Sequence, residues 1–147
     1  MQDDVIANKI AVVERCIARV HEEYRNDPAR LENFTTQDAI VLNLQRACEA
    51  SIDLAMHVIA VLRLGVPQDA RDAFAILHAH QILSEDMTGR MQRMVGFRNV
   101  AVHDYQSVRA PVLHAILVDN LHDFTAFCTA IVSATLPPRT TTADAQQ

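Results

Sequence analysis

The chain has 147 residues, enough for one domain with a substantial core. Half of it is hydrophobic, with three glycines and no tryptophan, a composition that favours helices. A net charge of −5 argues against a general nucleic-acid coat, which would be basic. No apolar run approaches the roughly 20 residues of a membrane span.

The acidic start, Met1-Gln2-Asp3-Asp4, lacks the basic region of a secretory signal. The sequence therefore reads as a soluble, cytoplasmic protein. Cys16, Cys48 and Cys128 are far apart, have no C-x-x-C spacing and sit in apolar helical rows, as small reduced core residues do.

In chain order, Ile6, Ile10, Val13, Ile17, Val20 and Tyr24 recur at steps of four and three, the stripe of a first amphipathic helix. Asn26-Asp27-Pro28 ends it, because proline disfavours helix in the residue before it. A second helix is expected from Thr35, with Asp38 three residues later in a capping-box arrangement, to about Leu64, where Gly65-Val66-Pro67 stops it. Val41, Leu44, Cys48, Ala55, Ile59 and Leu62 form one apolar row; Ile40, Ala47, Leu54, Val58 and Val61 form another. So wide an apolar surface marks the central helix of a bundle. Asp53 and His57, four apart, share a face there. They are either a surface pair or a device that sets Asp53 beside Arg98 or His103.

A third helix is expected from about Asp69 to Ile82, with Ala73, Phe74, Leu77 and Gln81 on one side. Ser84 is the expected N-cap of a fourth, with Glu85 and Asp86 in its first turn. In that helix Met87, Met91 and Met94 step by four and three, and the next member of the row is Arg98. A fifth helix begins at Ser107 or Pro111 and carries Leu113, Leu117, Leu121, Phe124, Cys128 and Ile131 as its stripe. Asp119 and His122 form a lone D-x-x-H, whereas a di-iron bundle needs two plus further carboxylates, so no metal site is expected. Residues 135–147 lack apolar periodicity and read as a disordered tail after a single helical domain over 1–134. The expected fold is all-α, an up-and-down bundle of four to five helices.

The chemistry concentrates in Gly96-Phe97-Arg98-Asn99-Val100-Ala101-Val102-His103-Asp104-Tyr105. A histidine accepts or donates a proton near neutral pH, and an arginine fork matches two phosphate oxygens. Together they suit RNA cleavage by the ribose 2′-OH, with no metal and no cofactor. Five residues on a helix give an offset of about 140°, which is not one face. A helix ending after Asn99 would let His103 fold back beside Arg98. Arg90, Arg93, Arg98 and Arg109 against Asp104 also make the segment locally positive. On spacing alone Arg98 would equally serve as a helix C-terminal cation, His103 as a turn histidine and Tyr105 as an interface ring.

The string Met94 to Tyr105 resembles the R-x4-H-x-Y signature of HepT-like toxins in the HEPN ribonuclease superfamily, with Arg98, Asn99, His103 and Tyr105 on the motif positions. Leu44 to Ile59 is similar to the family's long second helix, and the likeness extends to about Ser133. The resemblance implies a HEPN-like bundle forming a two-fold homodimer whose two motifs line one cleft. It further implies a toxin of a toxin–antitoxin pair, an endoribonuclease acting on tRNA or mRNA. His103 would be the general base or acid, Arg98 the phosphate clamp and Asn99 a helper. The implied partner is a minimal nucleotidyltransferase antitoxin that transfers AMP to Tyr105. The alternative is a non-catalytic helical dimer that binds a nucleotidyltransferase.

Overall fold

The structure, a computed structural model, describes residues 4–136. Over these residues it is all-helical, with α1 (Asp4–Tyr24), α2 (Phe34–Leu62), α3 (Ala70–Ala79), α4 (Glu85–His103), α5 (Ala110–Asp119) and α6 (Leu121–Thr135). Single 3₁₀ turns at Pro28–Glu32 and Tyr105–Ser107 join α1 to α2 and α4 to α5. The tail expected beyond Leu136 lies outside the described residues.

The long helix α2 is the axis of the bundle. It makes its most extensive contact with α1 and also touches α3, α4 and α6. Both of its apolar rows are buried from Ile40 to Ile59, while Val61 and Leu62, in its last turn, are exposed. The Met row of α4 turns inward, with Met91 and Met94 buried, and Phe74 of α3 meets Phe127 of α6 edge to face, centroids 5.5 Å apart. Buried aliphatic and aromatic side chains of this size contribute about 1.5–3 kcal/mol each, so the shared core fixes where α4 presents its C-terminal end.

Four boundaries differ from the sequence expectation. The cap of α2 is Asn33, whose side chain accepts from the Thr36 N–H at 3.0 Å; Thr35 lies inside the first turn. This helix closes at Arg63, left-handed at φ 55, two residues before Gly65. The third helix stops at Ala79 and Gln81 is exposed at φ 64, while the His78 ring bonds to the Leu83 carbonyl at 2.9 Å. The expected fifth helix is two helices bent by 45° at Asn120. The Asn120 amide donates to Asp123 Oδ2 at 2.9 Å, so the side chain ties the start of α6. Asp119 and Asn120 compete for local backbone bonding and weaken helix there. The apolar stripe survives the bend, since Leu113, Leu117, Leu121, Phe124, Cys128 and Ile131 are all buried.

Among the described residues no single helix is long and apolar enough to cross a membrane. The bent pair α5–α6 has the length and composition, but its apolar stripe is spent on the core. All three cysteines are free and buried.

Candidate functional site

The site is assembled at the C-terminal end of α4. Ser84 starts that helix as expected, its hydroxyl accepting from the Met87 N–H at 3.1 Å. The helix then runs without a break through Arg98 and Asn99 to His103, and Asp104 caps it by donating its N–H to the Val100 carbonyl at 2.8 Å. The chain therefore does not fold His103 back beside Arg98. On a continuous helix the two lie about 140° apart and about 7.5 Å along the axis.

Arg98 points to the α2 side. It follows Met94, whose carbonyl accepts from Cys48 Sγ of α2 at 3.5 Å. Burial pushes the Cys48 thiol pKa up, and the nearby Arg98 charge opposes that shift only in part. The Nε of Arg98 is buried with no hydrogen-bond partner, an unusual state for a guanidinium donor. Thr88, Met91, Met94 and Val95 are buried before it, so the half-buried arginine is held by its stem.

His103 lies on the other side and is exposed. It shares a face with Asn99, four residues earlier. The same row, seven and three residues back, contains Gly96 and Val100. These line a cavity of about 650 Å³ between α4 and α5, walled by Phe97, Val108, Val112 and Ile116. Val100 and Val112 are substantially exposed there.

Tyr105 opens the 3₁₀ turn after the helix, which is closed by the Ser107 hydroxyl donating to Asp104 Oδ2 at 2.5 Å. Its phenol donates to Asp38 Oδ1 of α2, 67 residues away in sequence. Burial, the hydrogen bond to Asp38 and the charge of that carboxylate together push the phenol pKa up to about 12. The ring is nevertheless 42% exposed. It opens on a cavity of about 390 Å³ that Asp38, Val41, Leu42 and Gln45 also line.

Two sequence readings change. Asp53 does not reach Arg98 or His103; it faces α1, where Lys9 Nζ lies 3.1 Å from its Oδ2, an exposed pair worth little. It sits five residues beyond Cys48, which faces α4, and is therefore turned well away from that contact. Asp38, read as a capping residue, is instead the partner of Tyr105. The available signal was its helical spacing with Leu42 and Gln45, a row that the core does not use.

The local charge is also smaller than the sequence count. Arg90 lies 2.9 Å from Asp86 and 3.5 Å from Asp123, whose side chain is 2% exposed. Arg93, Arg98 and Arg109 carry no ion pair among the described residues. Asp119 and His122 fall on opposite sides of the Asn120 bend, and the His122 ring stands 3.5 Å from Asp123 instead.

The family described as ribonuclease HepT-like matches residues 13–131. An mRNA nuclease HepT of Shewanella oneidensis is 40% identical over 129 residues, covering 88% of this chain and 97% of that protein. A tri-AMPylated Shewanella oneidensis HEPN toxin, solved in complex with its MNT antitoxin, superposes with a TM-score of 0.84 at 39% identity, over 90% of this chain and 99% of that one. A toxin–antitoxin structure with AMP-PNP gives the same TM-score and identity over 89% of this chain and 99% of that one. The matched span runs from within α1 to within α6 and contains the whole Arg98-to-Tyr105 string. This chain belongs to the HepT-like ribonuclease family.

Proposed function

We propose that this protein is the toxin of a toxin–antitoxin pair, an endoribonuclease of the cytoplasm that acts as a two-fold homodimer without a metal. The observation that carries this reading is the placement of His103, exposed on the face it shares with Asn99 at the end of a rigidly packed helix. His103 takes the proton of a ribose 2′-OH, and the freed oxygen attacks the adjacent phosphorus. Arg98 stabilises the charge that builds on the phosphoryl oxygens. The 5′ oxygen leaves with a proton, and the other product ends in a 2′,3′-cyclic phosphate. In a dimer the arginine clamp comes from one copy and the histidine from the other, and water supplies the leaving-group proton.

The dimer reading rests on the division of the site. Arg98 lies on the α2 side and His103 about 140° round the same helix, so one chain holds the two on different faces. A second copy seated on the α4–α5 face would cover Val100 and Val112 and bring its own motif to the open side of His103. The substrate class follows the relative, an mRNA nuclease. Silencing follows the AMPylated relative, with a nucleotidyltransferase antitoxin transferring AMP to Tyr105. The added phosphate would then occupy the Arg98 clamp as substrate does.

The test is cleavage of total RNA in EDTA by wild-type and His103→Ala protein in parallel. Wild type alone should cut and leave cyclic phosphate ends. Equal cutting by both proteins, or none by unmodified dimer, removes the catalytic reading and leaves a dimer that only docks the antitoxin.

A further inference from the structure

We infer that Asp38 is the proton acceptor for Tyr105 when AMP is transferred to the phenol; this rests on the proposal that Tyr105 is the acceptor of AMP. The geometry is specific. Packing of α4 on α2 brings the turn after α4 close to α2, and there the phenol donates its hydrogen bond to Asp38 Oδ1 across 67 residues of sequence. Both residues are exposed, so the pair is open to solvent and to a second protein. Tyr105 and Asp38 line one cavity with Val41 and Leu42, and the ring is 42% exposed, so the phenol is open to approach from solvent.

The contact answers a chemical need. A phenol is a weak nucleophile until its proton is removed, and this one holds its proton more firmly than an ordinary tyrosine. Transfer therefore needs a base at the hydroxyl itself. In the step, the phenol oxygen forms a bond to the α-phosphorus of ATP, and the bond from that phosphorus to the bridging oxygen breaks. Pyrophosphate leaves with the electron pair, and the phenol proton passes to the Asp38 carboxylate as the attack proceeds. Asp38 then releases the proton to water and faces the new phosphodiester as one anion beside another. The modified ring has lost the hydrogen bond that held it and gains a repulsion, so it leaves α2 and the AMP is free to reach Arg98.

The experiment follows AMP incorporation by intact mass, using full-length protein, its cognate antitoxin and ATP at saturating antitoxin. Tyr105→Phe fixes the background. Asp38→Asn keeps a hydrogen-bond acceptor of the same shape but cannot take the proton; Asp38→Ala removes both. We expect both to slow the transfer by on the order of 100-fold. Antitoxin affinity should be unchanged, and the rate of both variants should rise with pH more steeply than that of wild type. Asp38→Glu, which keeps a carboxylate, should be faster than Asp38→Asn, and this holds the test open if the asparagine variant folds poorly. Asp38→Asn within about threefold of wild type overturns the proposal, leaving Asp38 as a tether. Wild type that gains no AMP on Tyr105 overturns the underlying reading, a different result from the same gel-free assay.

Discussion

Arg98→Met should make the protein more stable and its cleavage far slower. In α4 the Nε of Arg98 is buried without a partner. Leaving a buried donor unsatisfied costs about 1–3 kcal/mol, and removing it relieves that penalty. Arginine and methionine have similar helix propensity, so the backbone of α4 is unaffected. Methionine also retains an apolar stem in line with Met91 and Met94, both buried. The Arg98 charge lowers the Cys48 thiol pKa against the larger effect of burial; its loss leaves a protonated thiol protonated and changes little. A net gain of about 1–2 kcal/mol corresponds to a Tm higher by roughly 2–8 °C for a chain of this size. Losing the phosphate clamp should reduce kcat by on the order of 10²–10³. Urea denaturation at two protein concentrations separates the fold from the dimer. A loss of 1 kcal/mol or more in the dilute, monomeric limit would show that Nε is satisfied in solution and refute the argument.

The phenol of Tyr105 gives a pH test. Its folded pKa of about 12 lies above the value of about 10 in an unfolded chain. The stability it contributes is therefore fully present below pH 10 and is lost as pH rises through 12. The stability difference between wild type and Tyr105→Phe should be flat below pH 10 and shrink above it, with phenolate absorbance appearing over the same range. Asp123→Ala should cost about 1.5–3 kcal/mol in chemical denaturation, because a buried carboxylate that accepts from Asn120 and faces Arg90 is removed. Val112→Asp, at an exposed position beside the α4–α5 cavity, should leave monomer stability within about 0.5 kcal/mol. It should shift the sedimenting species to monomer, and RNA cleavage should fall with it. A dimeric, active Val112→Asp protein would place the interface elsewhere.

The helices were legible where one local pattern decides them. The row from Ile6 to Tyr24 and the cap at Ser84 needed only periodicity and capping chemistry, and both stand in the structure. The Asn120 bend was not legible, because the apolar stripe of α5 and α6 continues across it with no glycine or proline as punctuation. At the bend Asn120 bonds to Asp123, and the buried Asp123 also faces Arg90 of α4. The sequence singles out the motif residues one by one, but not the side chains that stand beside them. Asp53 went to Lys9 and Asp38 to Tyr105, and only the packing of α1 and α4 around α2 selects between those two carboxylates.

The spacing of the motif explains why the site should need two chains. Four residues between Arg98 and His103 on a helix that stays intact to His103 force the two side chains apart, by about 140° in direction. A spacer of two or three residues would have put both on one face and made a self-contained pair. With the observed spacing, each face would carry half of the proposed chemistry. Arg98 is anchored toward α2, while His103 and Asn99 share another face of the helix. In the proposed two-fold dimer each copy would present its missing half to the other, and the two halves would form one groove. The same division puts Tyr105 on the arginine side, tied to α2. Modification there would act on the phosphate clamp and leave the histidine face untouched. Mixing a His103→Ala chain with an Arg98→Ala chain tests this directly. If a complete site draws Arg98 from one copy and His103 from the other, the mixed dimer should recover part of the activity that each parent lacks. If each copy holds its own complete site, mixing will recover none.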